Sequence, residues 1–66
     1  MKKPDRKPEV KLVGEDGNAW SIMGRVSKAL RNAGADKEYI DEYTKKSTSG
    51  DYDNLLRIAM EYVDVS

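Results

Sequence analysis

The sequence contains no cysteine and no histidine. Without cysteine there is no disulfide to staple a domain of 66 residues, which small secreted domains of this size generally need, so a reducing compartment is the expectation. Lacking both residues, the chain excludes Ser-His-Asp and Cys-His nucleophile systems and zinc sites built on imidazole or thiolate. It also lacks long apolar runs: no stretch approaches the roughly 18 apolar residues of a membrane span. The opening Met1 to Val10 segment, charged and carrying Pro4 and Pro8, has no apolar region of the signal-peptide kind. These absences predict a cytoplasmic protein that is neither exported nor membrane-spanning.

Net charge is lacking too. Twelve Lys and Arg balance twelve Asp and Glu, whereas a polyanion binder normally carries a net basic domain, because counterion release from phosphates supplies most of its sequence-independent affinity. Nucleic acid is therefore disfavoured. The halves nevertheless differ: residues 1–33 hold eight basic and four acidic side chains, and residues 34–66 hold four and eight.

This length supports one domain with one core. The apolar residues run from Val10 and Leu12 through Ile22, Leu30 and Ile40 to Leu55, Ile58 and Val63, helped by Trp20 and four tyrosines. Residues 1–8 are polar, aperiodic and twice interrupted by proline, which predicts a flexible basic tail. Residues 9–66 then form the compact domain. Over 9–13, Val10 and Leu12 alternate with Lys11, the period of a half-buried strand ending at Gly14. In the GEDGN loop that follows, Asp16-Gly17 is a turn dipeptide, and Asn18 is suited to cap a helix beginning at Ala19.

Ala19, Ile22, Met23, Val26, Ala29, Leu30 and Ala33 recur at three- and four-residue spacing, which predicts a helix over 19–33 closed by Gly34. Asp36 is placed to cap a second helix over 37–47. There Tyr39, Ile40 and Tyr43 make a narrow apolar face, and Asp41 with Lys45 and Glu42 with Lys46 stand as i,i+4 pairs. This helix reads as short and mostly exposed. In STSGD, a hydroxyl of Thr48 or Ser49 serves as cap, with Asp51 as a first-turn acid, ahead of a third helix over 51–61. Its inward stripe is read as Tyr52, Leu55, Leu56, Ala59 and Met60. Residues 62–65 return to alternation with β-branched side chains, a terminal strand. The fold class is thus α+β, mainly α: three amphipathic helices with short N- and C-terminal strands able to pair, Val63 and Val65 beside Val10 and Leu12, in a direction the sequence does not fix.

Few constellations suggest chemistry. Asp51 with Asp53, or Asp41 with Glu42, are paired carboxylates, yet acid catalysis would require one of them to be held protonated by burial across a cleft. Capping and solvation account for them. GEDGN offers oxygens for calcium but lacks the spaced ladder and distal bidentate Glu of an EF-hand loop. The same loop precedes a helix N-terminus that could hold phosphate, except that Glu15 and Asp16 repel an anion there. No cofactor, metal or catalytic residue is expected, and the chain is read as a non-enzyme.

Two surfaces remain. Trp20 lies outside the main stripe of the first helix, in line with Gly24, Ser27 and Arg31. Either Gly24 lets the terminal segments approach and roof Trp20, or the aromatic stands beside a small-residue notch with Arg31 at its edge, the makeup of a protein-binding hot spot. With Tyr39, Tyr43 and Tyr62 read as exposed, a protein-binding face of Trp20, Gly24, Arg31, Tyr39 and Tyr43 follows, on a monomer or weak homo-oligomer with an unidentified protein partner. The alternative is a nucleic-acid accessory protein that uses Arg25, Lys28 and Arg31, one outward arc of the first helix, together with the basic tail.

The order VKLVGEDGNAW, IMGRVSKALRNAG, EYIDEYTKKSTSGDYDNLL and MEYVDV resembles a family of small uncharacterised proteins encoded in bacterial and phage or mobile-element genomes. The similarity covers about residues 9–65, with GEDGNA and SGDYDNLL its most specific segments. It implies a bacterial cytoplasmic setting and a stand-alone domain, and it supplies no activity, ligand or site residue.

Overall fold

The computed structural model describes residues 1–11 and 18–65. Along the chain run β1 (Glu9–Val10), α1 (Ala19–Asn32), α2 (Lys37–Ser47), α3 (Tyr52–Tyr62) and β2 (Asp64–Val65). All three helices stand between the two strands, which pair parallel with Glu9 opposite Asp64 and Val10 opposite Val65. The expected mainly helical α+β architecture with paired terminal strands is what forms, and the pairing is parallel. Both strands are shorter than the alternation suggested. Lys11 is already outside the ladder, residues 12–13 lie outside the described residues, and Tyr62 belongs to α3. Among the described residues no helix is long and apolar enough to cross a membrane.

Each helix starts on a side-chain cap. Asn18 Oδ1 accepts from the Trp20 amide at 2.8 Å, Asp36 Oδ1 from Tyr39 at 2.9 Å, and Asp51 Oδ1 from Asn54 at 2.9 Å. The third departs from expectation. Asp51 itself is the cap and Asp53 the first-turn acid, because the Thr48 and Ser49 hydroxyls turn back and donate to the Thr44 and Lys46 carbonyls at 2.9 and 2.7 Å. Gly50 lies between, where a Cβ would stand 2.9 Å from Asn54 Cβ. Its absence lets Asn54 Nδ2 donate to the Lys46 carbonyl at 3.0 Å, tying α3 to the end of α2.

α1 ends in a Schellman turn. The Ala35 amide donates to the Leu30 carbonyl and the Gly34 amide to the Arg31 carbonyl, with Gly34 at φ 102° and Leu30 and Ala35 both buried. A Cβ on Gly34 would meet nothing within 4 Å, so Gly34→Ala isolates the backbone cost of a positive φ. It is expected to lower unfolding free energy by about 1–2 kcal/mol, read from urea denaturation. An unchanged midpoint would show that the turn relaxes without loss.

α1 buries Ile22, Met23, Val26 and Leu30, as its spacing predicts. α2 turns in Ile40 and Tyr43 of its predicted apolar face, with Tyr39 half-buried beside them; α3 departs from expectation, because tyrosines build the core it shares with α2. Tyr43 is fully buried and Tyr62 is 7% exposed. The Tyr62 ring makes edge contacts with Tyr43 at 5.2 Å and with Tyr39 at 5.3 Å, and its hydroxyl donates to Glu42 Oε1 at 2.8 Å. Seating Tyr62 turns α3 so that Leu55, Ile58, Ala59 and Tyr62 face inward. Tyr52 and Met60, read as core, are exposed in consequence.

The basic tail is laid against the domain. The Lys2 amide donates to Asp36 Oδ2 at 2.8 Å, the Asp36 amide donates to the Lys2 carbonyl, the Met1 ammonium stands 3.5 Å from Glu38, and Lys7 Nζ donates to the Met60 carbonyl at 3.1 Å. These contacts join the tail to the start of α2 and the end of α3, and the Asp64 amide continues them by donating to the Pro8 carbonyl at 2.9 Å.

Candidate docking site

Trp20, the second residue of α1, is 78% exposed. Side chains on a helix lean toward its N-terminus, so an aromatic this close to the cap projects past the helix end. Tyr52 repeats the arrangement, as the first residue of α3 directly after its own cap, and is 44% exposed. Between these helix starts and the end of α2 lies a groove of about 380 Å³, lined by Trp20, Tyr52, Ala19, Met23, Leu55 and Ser47, with Thr48, Gly50 and Asp51 at its rim. Its apolar floor belongs to the core: Met23 is 7% and Leu55 5% exposed.

The reading in which the terminal strands roof Trp20 and Gly24 is not what the described residues show. Nothing described lies within 4 Å of a Cβ built on Gly24, and the strands turn Val10 into the core instead. The residues grouped as a protein-binding face do not come together either. Arg31 is eleven residues along α1 from Trp20, about 16 Å at the helical rise, and borders a different hollow with Lys37, Ile40 and Asp41. Tyr43 and Tyr62 are buried, contrary to the expectation of exposed docking side chains, and Tyr39 is half-buried against the Tyr62 ring. Their amphipathic chemistry is spent inside the molecule. Tyr52, Ser47, Met23 and Leu55 were not among the expected site residues. The sequence signal for Tyr52 was an aromatic immediately after a capping Asp, matching Trp20 after Asn18.

Arg25, Lys28 and Arg31 are exposed. The tail's ammonium and its Lys2 backbone are engaged with Glu38 and Asp36, so the N-terminal charges share their surface with carboxylates, which weakens the field a polyanion would meet. Of the acids weighed as catalytic pairs, Asp51 and Glu42 have structural tasks, as does the capping Asp36. Asp51 caps α3. Asp36 is held below the ordinary carboxylate range by the Tyr39 amide, with the Lys2 amide adding to it against partial desolvation. Glu42 is lowered first by the Tyr62 hydroxyl and then by Lys46, whose Nζ stands 3.6 Å away. Burial pushes the Tyr39, Tyr43 and Tyr62 phenols up. Among the described residues no three acidic, histidine or cysteine side chains converge as a metal site would require. Glu15 and Asp16 of the loop weighed for calcium or phosphate lie outside the described residues.

Two buried hydroxyls one helical turn apart on α2, Ser47 Oγ and Tyr43 Oη, meet no partner in good hydrogen-bond geometry, although Ser47 acts on the Tyr43 phenol as a weak hydrogen-bonding neighbour. Unpaired buried polar groups cost free energy and are rare in native structures. No family model, curated protein or solved structure matches the chain, so its function has to be read from its own residues.

Proposed function

We propose that this domain is a non-catalytic protein-binding module that docks through the aromatic groove at the starts of α1 and α3. One observation carries the reading: Trp20 is 78% exposed at the mouth of an apolar groove. A tryptophan left in water contributes little to the fold, whereas the same side chain buried under a partner is the commonest kind of binding hot spot. Arg31 and Tyr39, at the other end of α1 and on α2, lie outside this centre.

Because Trp20 is so exposed, Trp20→Ala is expected to leave stability within about 0.5 kcal/mol of the parent. In affinity capture from lysate of the source cell, the variant should lose a discrete partner that the parent retains. A second variant reversing Arg25, Lys28 and Arg31 to Glu should keep that partner. Retention by Trp20→Ala sinks the docking reading. A low-salt titration with duplex and single-stranded DNA that moves the amide resonances of Arg25, Lys28 and Arg31 would replace it with the nucleic-acid alternative.

A further inference from the structure

We propose that the seam between the start of α2 and the end of α3, at the far end of these helices from the Trp20 groove, is a docking surface for an extended basic segment of a partner protein, and that residues 1–8 occupy it in cis as a displaceable competitor. The seam is acidic. Asp36 and Glu38 stand at the start of α2, and Lys37 of the same turn borders the Arg31 hollow instead. Glu42 follows one turn later, its carboxyl lowered first by the Tyr62 hydroxyl and least by Lys3 of the tail. α3 carries no basic residue in its own last turn, so its terminal carbonyls, the negative end of the helix, are left for a cation from elsewhere. Lys7 of the tail is that cation, with Nζ 3.1 Å from the Met60 carbonyl.

Little in this seating reads the tail's own sequence. Lys2 is held by its main chain: its amide donates to Asp36 Oδ2 at 2.8 Å and its carbonyl accepts from the Asp36 amide at 3.1 Å, a pairing open to any residue but proline. Lys7 contributes a charge, and Pro8 a carbonyl that accepts from the Asp64 amide at 2.9 Å. None of residues 1–8 is buried, whereas Val10, two residues on, is 6% exposed in the core. The tail is thus held by exposed hydrogen bonds and charge pairs, each of small effect and set against the entropy of ordering eight residues. The chain beyond it is fixed by burial. Another extended segment with lysines at similar spacing makes the same contacts, and it displaces the tail once it outweighs the advantage of tethering. An acidic segment is repelled by Asp36, Glu38 and Glu42.

The isotope-labelled full chain is titrated with three peptides and followed by its amide resonances. One, acetyl-Lys-Lys-Pro-Asp-Arg-Lys-Pro-amide, repeats residues 2–8; the second, acetyl-Lys-Lys-Val-Thr-Arg-Lys-Val-amide, keeps only the basic spacing; the third carries glutamate at each basic position of the first. Lys2→Pro with Lys7→Ala deletes the tail's amide donor and its ammonium and leaves the seam intact. In this variant the tail amides should move to disordered-chain positions while helix content is kept. Both basic peptides are then expected to shift the Asp36, Glu38, Glu42 and Asp64 amides saturably, about tenfold more tightly than in the parent, where the tethered tail competes. The glutamate peptide should give no saturable shift. Adding Asp36→Asn keeps an oxygen to cap the Tyr39 amide but turns an NH2 donor toward an incoming main-chain amide, and should weaken both basic peptides about fivefold. Equal affinity of the parent and the Lys2→Pro, Lys7→Ala variant overturns the inference, as does loss of helix in that variant, which would make the tail part of the fold. Binding of the first peptide without the second shows that the seam reads the tail alone, and overturns the partner. The same follows from saturation by the glutamate peptide, from no saturable shift at all, or from shifts confined to Trp20 and Leu55. Seam shifts that grow with protein concentration alone assign the surface to the tail of a second copy and overturn it as well. Trp20→Ala should leave these titrations unchanged, so the docking reading of the groove stands or falls separately.

Discussion

Tyr43→Ala is expected to leave the domain largely unfolded at room temperature, while Tyr43→Phe folds with a denaturation midpoint equal to or above that of the parent. Tyr43 is fully buried, and its ring meets Tyr62 edge-on at 5.2 Å. Truncating a buried aromatic costs about 3–5 kcal/mol, comparable with the whole stability a domain this small can hold, about 3–5 kcal/mol. The phenylalanine variant keeps the ring and deletes only a hydroxyl that meets no partner in good geometry, Ser47 being its one weak neighbour. Removing an unpaired buried polar group relieves a desolvation penalty and sacrifices no hydrogen bond. Circular dichroism and urea titration separate the two outcomes. A loss of more than about 1 kcal/mol on Tyr43→Phe would show that the hydroxyl is paired in solution, through Ser47 or a bound water.

The contrast between these variants also explains which parts of the fold were legible in the sequence. α2 runs over the predicted residues because its boundaries are local: Asp36 accepts from the Tyr39 amide, and Gly34, with its positive φ, closes the preceding helix. α1 was legible because its buried residues are aliphatic or methionine at regular spacing. α3 was misphased because tyrosine is ambiguous between surface and core. What places Tyr62 inside is Glu42, twenty residues earlier, and two rings on another helix, none of which a helical wheel of α3 contains. The strand direction was not legible for a similar reason, since parallel pairing depends on three helices returning the chain to its starting side. Trp20 stood out on the wheel as a residue off the stripe. The groove beside it did not, because it exists only where the ends of three helices meet, and Ser47 looked like an ordinary polar residue near a helix end.

Raising the pH past about 10 is expected to unfold the domain cooperatively, with tyrosinate appearing in step with the loss of helix. Tyr43 and Tyr62 are both pushed above the ordinary phenol range of 10.0, first by burial; the Ser47 hydroxyl partly offsets this at Tyr43, and the Glu42 carboxylate reinforces it at Tyr62. Above the unfolded phenol value the unfolded chain releases these protons while the folded chain keeps them. The folded state then binds more protons, so stability falls as pH rises, and the contribution is intact below pH 10. Each proton that the folded chain keeps and the unfolded chain has lost is worth about 1.36 kcal/mol per pH unit. Half-buried Tyr39, also raised by burial, adds a smaller amount because solvent reaches its ring. A domain with a few kcal/mol in hand is sensitive to such a loss. Lysine deprotonation acts over the same range, so the slope of stability against pH, rather than the midpoint, is the diagnostic. Tyr43→Phe should remove about half of the tyrosine part of that slope, and Tyr43→Phe with Tyr62→Phe nearly all of it. Full tyrosine ionisation with helix content intact would mean that solvent reaches these rings in the folded state, and that the three-tyrosine core does not form as described.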